Sequence, residues 1–133
     1  MIIDSSALVA ILRREPEAET FTDAIMNAET REVSAASYLE TGIVIDGSRD
    51  PIASHQLDEI IAFFAITIAP VNEAQAKIAR AAYRQFGKGS GHSAGLNFGD
   101  CFSYALAKER GQKLLFKGDD FGRTDVATAL AKA

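Results

Sequence analysis

The sequence predicts an α/β fold, a central parallel sheet of about four to five short strands flanked by helices. Three observations predict it. Short apolar runs alternate with longer helical patterns along the whole chain, the order that builds strand–crossover–strand units and lays the strands parallel. The chain opens Met1-Ile2-Ile3-Asp4-Ser5-Ser6. That is a buried central strand, broken by one acid and two hydroxyls, and the helical pattern Ala7, Leu8, Val9, Ile11, Leu12 follows at once. With 133 residues, 47% of them apolar and 24% charged, the chain is expected to form one globular domain over residues 1–133 with a core of its own.

The elements follow in order. The first helix is expected from about Ser6 to Arg14, with Ser5 or Ser6 as the N-cap that accepts from a free backbone N–H. Pro16 ends or kinks it, because proline cannot continue the hydrogen-bond ladder. A second helix runs from about Glu17 to Asn27, with Ala18, Phe21, Ala24 and Ile25 on one face. Glu32 to Ala35 reads as a short strand. Ser37 opens a third helix whose apolar face is Leu39, Ile43 and Val44. Asp50-Pro51 starts a fourth, since proline suits a first helical turn, and Leu57, Ile60, Ile61 and Phe64 stripe it.

Ile66 to Ile68 is the next strand, ended by Pro70. Asn72 caps a long helix carrying Ala76, Ile78, Ala79, Ala82 and Phe86, and Gly87 stops it. Residues 87–95 include Gly87, Gly89, Gly91 and Gly95, and read either as a flexible, mildly basic flap or as a plain surface loop. A helix from about Phe98 to Arg110 stops at Gly111. Lys113 to Lys117 is the last clear strand, Gly118 to Gly122 a turn, and Asp125 to Ala127 a short edge strand.

Several function classes are disfavoured. A net charge of −4 is wrong for a protein that simply coats nucleic acid, so any such contact needs local patches or a metal that reverses the sign of the site. The longest apolar run, Ile60 to Ala69, is interrupted by Thr67 and is too short to span a bilayer. The N-terminus lacks the basic region and cleavage site of a signal peptide, and Cys101 stands alone. The expectation is a cytoplasmic protein in which Cys101 is a small buried hydrophobe. His55 and His92 have no partner four residues on and no cysteine nearby, so zinc is not expected. No phosphate-binding Gly-Lys-Ser/Thr loop, dinucleotide fingerprint or Gly-x-Ser-x-Gly elbow is present.

The acids carry the functional signal. Asp4, Glu40, Asp100 and the Asp119/Asp120 pair each sit where a strand or turn meets a helix, beside apolar residues. Each also has a plainer reading. Asp4 serves as an extra cap aided by the helix dipole. Glu40 closes a capping box with Ser37. Asp100 is a first-turn acid, and Asp119 and Asp120 are turn formers. As a set they say more, because a parallel sheet brings distant strand ends to one edge. Carboxylates gathered there repel each other unless a hard divalent cation such as Mg²⁺ or Mn²⁺ joins them. The chemistry that follows is hydrolysis of a phosphate ester.

The chain resembles the PIN-domain ribonucleases, and among them the VapC toxins of bacterial toxin–antitoxin pairs. The resemblance rests on Ile2-Ile3-Asp4-Ser5-Ser6-Ala7-Leu8, on Ser37-Tyr38-Leu39-Glu40-Thr41, on Leu96-Asn97-Phe98-Gly99-Asp100-Cys101-Phe102-Ser103-Tyr104-Ala105-Leu106-Ala107, on Leu114-Leu115-Phe116-Lys117-Gly118-Asp119-Asp120-Phe121, and on Thr124-Asp125. The Asn-Phe-Gly-Asp-Cys block is the most specific of them. The resemblance implies a PIN-like fold and a metal-dependent RNA endonuclease in which Asp4, Glu40 and Asp100 are the core acids. Asp4 and Asp100 would bind Mg²⁺ directly, with Mn²⁺ as a substitute. Glu40 would act through a water or a second metal, and Ser6 would hold a metal-bound water.

The family's fourth acid lies three residues before the phenylalanine. Here that position is Gly118, so Asp119 is the nearest substitute, with Asp120 and Asp125 behind it. The resemblance further implies an RNA substrate, a homodimer, and a VapB-like antitoxin that blocks the metal site, with no membrane. Arg13, Arg14, Lys88, Lys117 and Arg123 are candidate basic contacts. Two other classes stay open on the residues alone: a binding module whose acids are only caps and turns, and a small Mg²⁺-dependent phosphomonoesterase.

Overall fold

The computed structural model describes residues 1–130. Its elements are β1 (Ile2–Ile3), α1 (Ser5–Leu12), α2 (Ala18–Asn27), β2 (Glu32–Ser34), α3 (Ala35–Gly47), α4 (Pro51–Phe63), β3 (Thr67–Ala69), α5 (Glu73–Phe86), α6 (Phe98–Arg110) and β4 (Leu114–Leu115), then a 3-10 turn at Phe121–Arg123. The strands form one parallel sheet in the order β3-β2-β1-β4. Ile2 aligns with both Glu32 and Leu114, which puts β1 in the interior of the sheet as its apolar sequence requires. The expected edge strand at Asp125 to Ala127 is reduced to a single bridge, Leu114 to Thr128. It is held by Leu114 N–H donating to Ala127 O (2.9 Å) and Ala129 N–H donating to Leu114 O (2.9 Å).

Alternation along the strands splits the core in two. Ile2 and Leu114 pack with Ala82 and Phe86 of α5 and Tyr104 to Ala107 of α6. Ile3, Val33 and Leu115 pack with Ala7 and Leu8 of α1 and Phe21 and Ile25 of α2. The sheet is therefore the middle of three layers. The chain steps from β1 to β2 to β3 in one direction, then returns across the sheet through α5 and α6 to β4 on the other side of β1.

Two helix starts differ from expectation. The cap of α1 is Asp4, whose carboxylate accepts from Ser6 N–H (3.0 Å), not Ser5 or Ser6. The cap of α3 is Ser34, which accepts from Ala36 N–H (3.3 Å), because β2 runs into the helix without a loop. Ser37 is consequently inside the helix and Glu40 closes no capping box with it. The face of α3 is also reversed. Ser37, Thr41 and Ile45 are buried, while Leu39 and Ile43 are 60% and 64% exposed. A helix apolar on most sides does not reveal its inner face by hydrophobicity, and Thr41 can be buried because its hydroxyl donates to Ser37 O (2.8 Å).

The other starts agree with the sequence. Asp50 caps α4 with Pro51 in the first turn, and Asn72 caps α5. Gly111 ends α6 in the left-handed conformation (φ 62°), where glycine carries no Cβ penalty. The glycine-rich segment is pinned at its base by the Gly87–Leu96 bridge, with Ala94 and Leu96 buried. Among the described residues no helix is long and apolar enough to cross a membrane.

Candidate active site

The strand order reverses between β1 and β4, and the crevice beyond the carboxyl ends at such a point is where open α/β sheets bind ligands. A pocket of about 420 Å³ lies there. Asp4, Glu40 and Asp100 line it together with Ser6, Asn97 and Lys117, and Val9 and Val44 are apolar walls. These three acids from distant parts of the chain thus share one depression with a fourth, Glu15, which pairs with Lys117.

Asp4 is 2% exposed, directly after β1. One carboxylate oxygen accepts from Ser6 N–H, and the other accepts from the hydroxyl of Ser103 on α6 at 2.5 Å. Ser103 Oγ lies 3.0 Å from Ser37 Oγ, so a buried relay joins α3, α6 and β1. Cap and pocket-lining acid are the same residue.

Glu40 projects from α3, and its carboxylate accepts from Ser5 Oγ at 2.6 Å. It lies against the first turn of α6, where Gly99 leaves room for it. A Cβ on Gly99 would stand 2.8 Å from Glu40 Cδ and closer still to Oε2. The glycine of the Asn-Phe-Gly-Asp sequence is therefore a seat for a carboxylate.

Asp100 completes a capping box at the start of α6. Its N–H donates to Asn97 Oδ1 (2.9 Å), and its carboxylate accepts from Asn97 N–H (3.0 Å). The capping box expected at Glu40 is found at Asp100 instead. Burial pushes the Asp100 carboxyl up from 3.8 to about 6, the charges of Asp4, Asp120 and Glu40 add to this, and the Asn97 N–H opposes it.

The fourth corner is more open. Asp119 and Asp120 are exposed in the turn after β4, and neither lines the pocket. Of the two, Asp120 is the one whose charge reaches Asp100. Asp125 is engaged elsewhere, accepting from Tyr104 Oη (2.5 Å) and Lys108 Nζ (3.2 Å). Gly118 has φ 100°, a conformation that disfavours any side chain at that position.

Ser6 accepts from Lys117 N–H at 3.0 Å, which ties the β1–α1 turn to the exit of β4. Lys117 lines the pocket, but its ammonium pairs with Glu15 and with Glu17 (3.2 Å). Of the other candidate cations, Arg123 donates to Ser93 O (3.1 Å) and steadies the glycine-rich loop. Cys101 is buried, its thiol pushed up to about 11 by that burial and by the Asp100 charge. His55 pairs with Glu59 one turn on (2.9 Å), both exposed.

The donor set is all oxygen and acidic, which suits a hard divalent cation and not zinc. Among the described residues no three His, Cys, Asp or Glu side chains converge into a ready-made metal cage. Each acid instead holds a neighbouring donor. A cation that keeps several of its waters needs only one or two carboxylates, so the set fits Mg²⁺-like chemistry. Sequence reasoning gives Ser103 and Gly99 no role of their own, and it reads Ser37 as a cap rather than as a buried partner of Ser103. A usable signal exists for two of them: Ser103 lies three residues after Asp100 and Ser37 three before Glu40, spacings that share a helix face.

Comparison with known proteins bears on the fold and the family. The PIN domain profile matches residues 1–127. Ribonuclease VapC28 of Mycobacterium tuberculosis is 58% identical over 130 residues, covering 98% of each chain. The crystal structure of Mycobacterium tuberculosis VapC20, a Sarcin-Ricin loop cleaving toxin, superposes with a TM-score of 0.73 at 15% identity over 95% of each chain. A chain of a toxin–antitoxin complex from Klebsiella pneumoniae gives 0.72 at 16% identity over 97% of each. The two structures speak to the fold, the sequence relative to the family. This chain belongs to the PIN-domain family and, within it, to the VapC ribonucleases.

Proposed function

We propose that the protein is a divalent-cation-dependent endoribonuclease, the toxin of a toxin–antitoxin pair, which hydrolyses RNA phosphodiester bonds in the pocket of Asp4, Glu40 and Asp100. The observation that supports this most is the meeting of those three acids at the sheet's reversal point, with the Asp100 carboxyl raised to about 6 by burial and by its acidic neighbours. Family membership supports the same reading. Mg²⁺ is the cation proposed, with Mn²⁺ as a substitute. Bound there, it would polarise a phosphate ester and offset its charge.

The chain's own residues have separate tasks. Asp4 and Asp100 would hold the cation. Glu40, kept in place by Ser5 and by the gap at Gly99, would orient the attacking water. Ser6 and the Lys117 backbone keep the floor of the pocket fixed. The fourth acid is proposed at the Asp119–Asp120 pair, with Asp120 favoured by its influence on Asp100. Val9 and Val44 keep one wall apolar, which strengthens electrostatic contacts inside.

A VapB-like antitoxin and a second copy of this chain are the proposed protein partners. The exposed Leu39 and Ile43 on α3 support a protein surface beside the pocket. The test is cleavage of end-labelled RNA by purified protein with Mg²⁺, with Mn²⁺ or with EDTA. Cleavage should require the cation and vanish in Asp4→Asn and Asp100→Asn. Equal cutting by either variant overturns the assignment. Turnover of a chromogenic phosphate monoester with RNA left intact would favour a phosphomonoesterase.

A further inference from the structure

The helix that carries Asp100 has a second depression on its other side. The groove between α5 and α6, of about 670 Å³, is walled by Tyr83, Phe98, Cys101 and Phe102, with Arg80 and Arg84 beside them. Phe98 is 77% exposed and Tyr83 43%. Phe98 meets Phe102 at 4.9 Å in a T-shaped contact, which steadies its ring while leaving most of it in solvent. Arg80 and Arg84 lie one turn apart on α5, and among the described residues neither guanidinium has an ion-pair or hydrogen-bond partner. Phe98 follows Asn97, a wall of the acidic pocket, so the two depressions share the first turn of α6.

The chemistry here differs from that of the exposed apolar face of α3. On α3 the exposed residues are aliphatic, and that helix carries no lysine or arginine. Between α5 and α6 they are aromatic and stand beside two unpaired cations, in a protein of net charge −4. Aromatic faces with arginines are how proteins hold unpaired bases and the phosphates between them. We propose that this groove is a base-stacking subsite for an unpaired nucleotide next to the scissile phosphodiester, with Phe98 and Tyr83 stacking on bases and Arg80 and Arg84 meeting backbone phosphates. The inference rests on the ribonuclease reading above and extends it to how single-stranded RNA is gripped.

The test is binding of a fluorescent single-stranded RNA oligonucleotide to the full chain carrying Asp100→Asn, which keeps the RNA whole. In that background Phe98→Ala and Tyr83→Ala should each weaken binding by roughly tenfold, as removal of one stacking ring does, and Phe98→Tyr should retain affinity. Arg80→Gln with Arg84→Gln should flatten the slope of log affinity against log salt by roughly 0.7 for each phosphate no longer neutralised. The melting temperature of Phe98→Ala should not move, since the ring is mostly in solvent. If the otherwise wild-type chain cuts RNA and the Phe98→Ala/Tyr83→Ala variant binds and cuts equally well, the subsite is overturned and the ribonuclease reading stands. If the parent protein neither binds nor cuts RNA, the ribonuclease reading fails, and this one with it. If Phe98→Ala turns a sedimenting dimer into monomers with RNA affinity unaltered, the groove is an interface between copies and the subsite is overturned.

Discussion

Two carboxylates in one pocket are held in opposite ways. At the β1–α1 turn, Asp4 is buried with both oxygens occupied by donors, Ser6 N–H and Ser103 Oγ. At the start of α6, Asp100 accepts one backbone N–H and is otherwise crowded by burial and by three acidic neighbours, which raise its carboxyl to about 6. The β1–α1 corner would persist with no cation present. The α6 corner is disfavoured by its own charge, and a cation bound there would relieve it. Asp4 is a cap and a pocket wall together, while Asp100 costs the fold stability at neutral pH.

The largest expected effect is on activity, and there the two corners should agree. Asp4→Asn and Asp100→Asn should each lower RNA cleavage by about 10³-fold or more, measured under single-turnover conditions. Stability should separate them. Asp4→Asn upsets two buried hydrogen bonds and should lower unfolding free energy by about 1–3 kcal/mol in urea titration. Asp100→Asn removes a charge that burial disfavours and should raise it, by about 1 kcal/mol after allowance for partial exposure. If both variants lose stability alike, the contrast is wrong.

Next in size is Gly99→Ala. Its methyl would push the Glu40 carboxylate off its seat, and cleavage should fall by roughly 10- to 100-fold while the melting temperature holds. Unchanged cleavage would mean that Glu40 tolerates displacement. Ser103→Ala is milder. It leaves Asp4 Oδ1 and the Ser37 hydroxyl without their shared partner, and about 1–2 kcal/mol of stability should go, with a smaller loss of rate.

The smallest effect sharpens the contrast by pH. Between about 4 and 6 the folded protein keeps a proton on Asp100 that the unfolded chain releases, so the cation-free protein should lose stability as pH rises through that window. Cation binding needs the carboxylate, so the Mg²⁺-induced rise in melting temperature should be larger at pH 7.5 than at pH 5. A rise independent of pH would take Asp100 out of the cation's reach.

The element order, the four parallel strands and the junction acids are legible in the sequence because they rest on local pattern: period, caps and breakers. What escapes it depends on partners far along the chain. Ser103 reads as one more polar residue in a helix until β1 brings Asp4 to it. The inner face of α3 is hidden because Leu39, Ile43 and Val44 make as good a stripe as the buried Ser37, Thr41 and Ile45. Hydrophobicity points inward only when the outer face is polar, and here the outer face is apolar too. Spacing alone puts a capping box at Ser37 and Glu40, whereas the strand runs directly into α3 and the box forms at Asn97 and Asp100. Asp119 and Asp120 are adjacent in a turn, and sequence spacing cannot order two neighbours.

The hydrogen bonds that close the pocket also set when it can exist. Ser5 reaches Glu40 across 35 residues, Ser103 reaches Asp4 across 99, and Lys117 reaches Ser6 across 111. A chain emerging from the ribosome at about 5–20 residues per second carries Asp4 well before it carries Asp100. The Ser6 N–H and the Ser5–Glu40 contact come within the first 40 residues, but the Ser103 donor and the Lys117 tie must wait for α6 and the exit of β4. Synthesis itself thus imposes a delay between making the first acid and completing the hydrogen bonds that enclose it.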